Sequence, residues 1–435
     1  MRDGGRIEAA IEVLERLERE HRPATDVLRD WGNAHRFAGS GDRAAIGNLV
    51  HDALRCRASL AWRMGSESPR ALVLAAYVVL WRVPLERLET LLAEDRHAPA
   101  PLGEAERAAL AGEGPAGAPP HVLADIPEWL EPSFSRAFGP RLVEEGRGLA
   151  ARAPVDLRAN TLKSSRDKVL AALARFAPAP TTLSPLGIRL APGEGPARAP
   201  QVQAEPGYQK GWFEIQDEGS QLAALLAGAT AGEQVADVCA GGGGKTLALS
   251  AIMANKGQIH AFDADRNRLA GIFERLDRAG TRNVQVIAAN ERDRLDALDG
   301  RMDLVLVDAP CTGTGTWRRR PDAKWRLSQA QLEQRIADQN EVLALAEPKV
   351  KPGGRLVYVT CSLLPEENED RVAEFLAGHP DFALADADAV WRAGLGNDLP
   401  EAFRAPVAGL GNAIRLTPAS AGTDGFFVAV MRRAA

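Results

Sequence analysis

The sequence predicts an α/β protein: a doubly wound, mostly parallel sheet, preceded by a small α+β subdomain and an all-helical N-terminal region. Three observations predict it. Short apolar runs, Leu304–Val307 and Leu356–Val359, read as strands buried on both faces. Helical patterns at Leu247–Met253 and Arg335–Lys349 separate such runs, as βαβ units with right-handed crossovers require. Chemistry-bearing residues stand at the ends of the runs, the edge where open α/β sheets bind ligands.

The N-terminal region, residues 1–118, reads as helical. Ile7, Ala10, Ile11, Leu14 and Leu17 recur at helical spacing. Asp42 is placed to cap a second amphipathic stretch beginning at Arg43. Ala71 to Leu80 reads as a helix buried on most sides. His35 and His51 sit in no catalytic set and read as surface or core residues. The run Ala111–Pro120 is a linker by composition. Residues 121–215 then read as a small α+β subdomain, with strands at Val155–Leu162 and Gly187–Leu190 and a helix from Ser165 to Arg175. A helix beginning near Gln216 opens the main sheet domain, residues 216–435.

The strand Gln234–Val238 runs into Cys239, Ala240, Gly241, Gly242, Gly243, Gly244, Lys245 and Thr246, then into a helix. A glycine-rich turn there presents backbone N–H groups at a positive helix terminus. A P-loop needs glycine where Cys239 stands, and a dinucleotide fingerprint needs glycine where Thr246 stands, so both fail. A loop for the amino-acid end of S-adenosylmethionine remains. The next strand supports it by ending at Asp263, a carboxylate suited to ribose hydroxyls. The strand Val284–Ala288 ends near Asn290.

The strand Leu304–Val307 stops at Asp308. Pro310 cannot extend a central strand, and it sets Cys311 at the start of a loop kept open by Gly313 and Gly315. Arg318, Arg319 and Arg320 follow, then Lys324. A second strand, Arg355–Val359, ends in Thr360-Cys361-Ser362. One strand-end cysteine is as often a small packing residue as a reactive one. Two at one edge, with an aspartate three residues before one of them, point to chemistry. Asn412–Leu416 and Gly425–Val430 read as an antiparallel pair at the sheet edge.

Composition narrows the class further. The 435 residues carry a net charge of −5, so nucleic-acid binding would depend on local basic patches. Four scattered cysteines, Cys56, Cys239, Cys311 and Cys361, suit neither a zinc site nor a disulfide framework, and free thiols fit a reducing cytoplasm. The seven histidines form no metal-ligand pair, so no metal is expected. No apolar run reaches membrane-spanning length, and no membrane association is expected. A monomer is expected.

Five ordered motifs carry a family resemblance. They are C-A-x-x-G-G-K-T at Cys239–Thr246, D-A-P-C-T-G-x-G at Asp308–Gly315, R-R-x-P-D-x-K-W at Arg318–Trp325, T-C-S-x-x-P-E-E-N at Thr360–Asn368 and D-G-F-F at Asp424–Phe427. Across residues 120–435 the chain resembles the RsmB/Nop/Sun family of RNA 5-methylcytosine methyltransferases, and its helical region resembles a NusB-like RNA-binding domain. The chain departs from the family at Gly241-Gly242, where Ala-Pro is usual, and at Asn290, where Asp is usual.

The resemblance implies a class I, Rossmann-like S-adenosylmethionine-dependent methyltransferase sheet acting on RNA, with 16S ribosomal RNA expected as substrate. Carbon 5 of cytosine is a poor nucleophile, and thiolate addition at carbon 6 makes it enamine-like. The base must be unstacked and held, which a carboxylate such as Asp308 can do. Position alone does not say which cysteine attacks. The resemblance makes Cys361 the nucleophile and Cys311 the group that assists release, whereas DNA cytosine methyltransferases attack with the Pro-Cys thiol. Lys245 joins the catalytic set with Cys361, Cys311 and Asp308. Cofactor contacts are expected from Cys239, Ala240, Gly241, Gly242, Gly243, Gly244, Lys245, Asp263, Asn290 and Asp308. Arg318, Arg319, Arg320, Lys324 and Arg326 would line an RNA path, with Trp317 or Trp325 available to stack. The alternatives are a non-catalytic ribosome-assembly factor that binds RNA, a methyltransferase acting on tRNA or 23S rRNA, and a small-molecule methyltransferase.

Overall fold

The computed structural model of the chain describes residues 1–112, 114 and 117–435. Glu113, Pro115 and Ala116, within the expected linker, lie outside the described residues. The chain divides into two units. One comprises Met1–Ala153, Pro192–Ala199 and Trp317–Leu327, and the other comprises Pro154–Ala191, Pro200–Thr316 and Ser328–Ala435. Residues 121–153 thus fall in the first unit, and so does the basic segment that follows the Cys311 loop.

The first unit is helical. Helix Asp3–Glu20 buries Ile7, Ala10, Ile11, Leu14 and Leu17, the face its periodicity marks, in a core with Ile46, Leu49, Val50 and Leu72. The next long helix corrects one expectation. It begins at Ser40 rather than Arg43, and Asp42 is its third residue, not its cap. The Asp42 carboxylate accepts the Gly39 N–H at 3.2 Å and the Arg6 guanidinium at 2.8 Å. A third-position carboxylate satisfies an orphan amide where glycine has no side chain to do so. The Ala71–Leu80 stretch divides into an α-helix, Pro69–Ala75, capped by Ser68, and a π-helical turn, Ala76–Leu80.

In the second unit a small antiparallel sheet has the order β2-β3-β1-β4, with β1 Val155–Ala159, β2 Ala179–Pro180, β3 Gly187–Leu190 and β4 Phe213–Ile215. The main sheet holds β5 Gln234–Asp237, β6 Gln258–Phe262, β7 Val284–Ile287, β8 Met302–Asp308 and β9 Val350–Thr360, all parallel. It continues with β10 Phe382–Leu384, β11 Arg404–Val407, β12 Gly411–Leu416 and β13 Phe426–Arg433. Its order is β11-β12-β13-β9-β8-β5-β6-β7, with β10 paired to β13.

The C-terminal pair is antiparallel as expected, but β13 lies inside the sheet, between β9 and β12. The edge is β11, which carries Pro406, a residue that cannot donate to a further strand. Chain order reverses between β5 and β8, which makes that junction the topological switch point. The helix expected from Arg335 starts earlier, at Gln329, where Ser328 and Gln331 form a capping box.

Candidate active site

Four strand ends of the second unit build the site. After β5, Gly241 and Gly243 take left-handed backbone at φ 50° and 80°. A Cβ on Gly243 would lie 2.6 Å from Ile272 Cγ1, so no side chain fits there. Helix Gly244–Ile252 follows at once, with Cys239 and Ala240 buried beneath the turn.

The Asp263 carboxylate, at the end of β6, is 3% exposed and accepts the N–H groups of Gly241 at 2.9 Å and Asp265 at 2.8 Å. Each oxygen accepts one backbone hydrogen bond and keeps a lone pair to offer, with the Arg268 guanidinium 3.7 Å from Oδ2. Asn290 stands exposed in a turn beyond β7. Sequence reading missed Asp237, at the end of β5. Its Oδ2 accepts the Thr246 hydroxyl at 2.7 Å, while its buried Oδ1 has no partner. Burial pushes this carboxyl up to about 7. Its signal was visible as an aspartate inside the otherwise apolar stretch Val235–Ala240, four residues before the glycines.

Lys245, 7% exposed, places Nζ 2.7 Å from Asp308 Oδ2 and 5.1 Å from the ring centroid of Phe426. The ion pair orients the carboxylate that closes β8. Beyond it, Cys311 Sγ lies 3.5 Å from Cys361 Sγ, so neighbouring parallel strands deliver both thiols to one point. The bond to Cys361, and burial after it, push the Cys311 thiol well above its usual range. The Cys311 loop passes so close to β13 that a Cβ on Gly315 would lie 2.4 Å from the Gly425 carbonyl oxygen. Gly315 N–H donates to the Cys361 carbonyl at 2.9 Å, and Gly425 N–H donates to the Gly315 carbonyl at 2.8 Å.

Beneath the thiols lies a fully buried carboxylate, Glu367. It accepts the Thr312 N–H at 2.8 Å, the Gln339 amide at 2.9 Å, and the hydroxyls of Thr312 and Ser362. Tyr358 OH donates to the Glu367 carbonyl at 2.7 Å. Glu367 stood inside a quoted motif without a role, and Gln339 had no sequence signal.

The basic segment corrects a further expectation. Arg319 and Arg320 are exposed, but Arg318 is 4% and Lys324 1% exposed. Lys324 Nζ donates to the carbonyls of Arg55 at 2.8 Å and Asp125 at 2.6 Å. Trp317 is buried in a stack on Phe134 at 5.8 Å, and the Trp325 indole N–H donates to the Leu54 carbonyl at 2.6 Å. Helix-end carbonyls of the first unit claim these donors. Lys324 and Trp317 are therefore packing residues and not an RNA-facing surface.

Residues 224–432 match the family model of the 16S rRNA methyltransferase RsmB/F. The chain is 36% identical over 276 residues to the ribosomal RNA small subunit methyltransferase B of Sodalis glossinidius, a match covering 61% of this chain and 62% of that protein. It is 30% identical over 313 residues to the probable ribosomal RNA small subunit methyltransferase B of Synechocystis, covering 71% of this chain and 67% of that protein. The chain thus spans about three fifths to two thirds of the length of these relatives. Among solved structures, a methyltransferase homolog from Pyrococcus horikoshii aligns with a TM-score of 0.58 and 28% identity, covering 72% of this chain and 97% of that one. The crystal structure of PH0851 aligns with a TM-score of 0.73 over 100% of this chain and 99% of that one, at 24% identity, and shares the fold. With motifs, sheet order and these matches in agreement, the chain belongs to the RsmB/F family of 16S rRNA methyltransferases.

Proposed function

We propose that the protein methylates carbon 5 of a cytosine in RNA, with 16S ribosomal RNA as substrate and S-adenosylmethionine as methyl donor. The observation that carries this reading is the pair of thiols 3.5 Å apart, in the loops that follow β8 and β9, with Asp308 paired to Lys245 at the end of β8. Cys361 Sγ, as thiolate, adds to carbon 6 of the flipped base, and Asp308 binds its polar edge. Cys311 Sγ, within reach of the same ring, assists removal of the carbon-5 proton and expulsion of Cys361. S-adenosylmethionine supplies an electrophilic methyl group when bound. The chain's residues suit it: the unpartnered Asp237 Oδ1 matches an ammonium, Asp263 has lone pairs for ribose hydroxyls, and the glycine turn admits close backbone approach. The test is transfer of labelled methyl to 16S rRNA by purified protein, with the product mapped. Absence of 5-methylcytosine, with RNA still bound, would favour a non-catalytic assembly factor.

Asp263→Ala is expected to weaken S-adenosylmethionine binding by roughly 1–3 kcal/mol, the cost of lost charged hydrogen bonds. Unchanged affinity by calorimetry would remove Asp263 from the site.

In this reading residues 1–118 form a NusB-like RNA-binding domain, 121–215 an α+β subdomain and 216–435 the methyltransferase domain of a cytoplasmic monomer. Exposed Arg319 and Arg320 contribute phosphate contacts. Replacing both with alanine should weaken RNA binding and reduce the slope of log affinity against log salt by about 1–2. A slope unchanged by the double substitution would place the RNA elsewhere.

A further inference from the structure

We infer that Glu367 is a positioning residue that holds the two thiols in register by tying together the residues that follow each cysteine. The inference rests on the methyltransferase reading of this site. Thr312 follows Cys311, and Ser362 follows Cys361. The Glu367 carboxylate takes the Thr312 N–H on Oε1 and both hydroxyls on Oε2, so one rigid group spans the two strand ends. Gln339 steadies it from a third element, donating both to Glu367 Oε1 and to the Pro310 carbonyl at 2.9 Å each. Pro310 directly precedes Cys311, which leaves that cysteine flanked by anchored neighbours.

A fully buried carboxylate without a cationic partner among these contacts is an expensive way to stabilise a loop. Burial pushes it above its ordinary range, and the donors from Ser362, Thr312 and Gln339 pull it back. An apolar residue would pack there at lower cost but could not set the distance between two backbones 50 residues apart. The charge has a second effect. It adds to what raises the Cys311 thiol, so the thiolate formed there is a stronger base for the carbon-5 proton.

The test uses the full chain carrying Glu367→Ala or Glu367→Gln. Glutamine keeps an acceptor for Thr312 N–H and Gln339, and its amide can donate to the two hydroxyls. Glu367→Ala is expected to lose about 100-fold or more in kcat, with KM for RNA and cofactor within about 3-fold, because misplacement costs the reaction rather than binding. Glu367→Gln should recover to within about 10-fold of the wild type by keeping the geometry. In both variants the pH profile of Cys311 alkylation by iodoacetamide, followed by peptide mass spectrometry, should move to lower pH. A folded Glu367→Ala protein with kcat within about 3-fold of wild type would overturn the inference. So would an alkylation profile unmoved in both variants. If Glu367→Ala does not fold, Glu367→Gln decides: loss of kcat as deep as that expected for alanine overturns the inference, and recovery supports it. If the wild type transfers no methyl, the proposed function falls, and the clamp is then tested by the Cys311 profile: a larger shift in Glu367→Ala than in Glu367→Gln supports it, and equal shifts, which report the lost charge alone, overturn it.

Discussion

Cys361→Ala is expected to abolish methyl transfer, by on the order of 10⁴-fold or more, and to form no protein–RNA adduct. Cys311→Ala should methylate poorly yet retain RNA covalently, as a slow band on a denaturing gel that nuclease collapses. The asymmetry follows from the chemistry. Without the attacking sulfur no bond to carbon 6 forms. Without the group that completes elimination, the bond forms and persists. The geometry makes the comparison clean, since the sulfurs lie 3.5 Å apart. Their surroundings differ: the bond to Cys361, burial and nearby Glu367 raise the Cys311 thiol well above its ordinary range, which suits it to take up the carbon-5 proton and not to attack. An adduct in Cys361→Ala but not in Cys311→Ala would reverse the roles, as in the Pro-Cys chemistry of DNA enzymes. Intact methylation without adduct in both would return the two cysteines to packing.

The parallel strands were legible because burial on both faces leaves continuous apolar runs, and Leu304–Val307 and Leu356–Val359 carry that mark directly. Short β10 and β11, of three and four residues, hold too little pattern, and Pro406 argues against a strand until an edge is known. The interior place of β13 depends on pairing with β9, more than 60 residues away in sequence, which local periodicity does not encode. At the site, the thiols and Asp308 were legible because strand ends converge by topology. Gln339 was not, since it is one of several polar residues on helix Gln329–Ala346 and nothing in the sequence marks it as the one that meets Glu367. The run Arg318–Lys324 misled for a related reason. Charge reads as surface, but unsatisfied helix-end carbonyls are buried acceptors, and the Arg55 carbonyl closes helix Ser40–Arg55.

That buried lysine yields the second large effect, on stability. Lys324→Met should destabilise the first unit by about 1–4 kcal/mol at pH 7, since the carbonyls of Arg55 and Asp125 lose their donor while the cost of burying an ion is relieved. The deficit should then depend on pH. Burial lowers the Lys324 ammonium from its ordinary 10.5 to about 8, against the opposing pull of Asp125. Below pH 8 both folded and unfolded chains hold the proton, and this group contributes no slope. Between pH 8 and 10.5 the folded chain releases it while the unfolded chain keeps it. The unfolded state then binds more protons, so stability rises with pH by up to about 3 kcal/mol from this group alone. The neutral amine still carries two N–H groups for the same two carbonyls, so the gain costs no hydrogen bond. Neighbouring Cys56, raised by burial, stays protonated across the window. Methionine has no proton to release. The wild-type advantage in urea unfolding should therefore widen from pH 7 to pH 10, and a difference constant over that range would show that the Lys324 amine keeps its charge inside the fold.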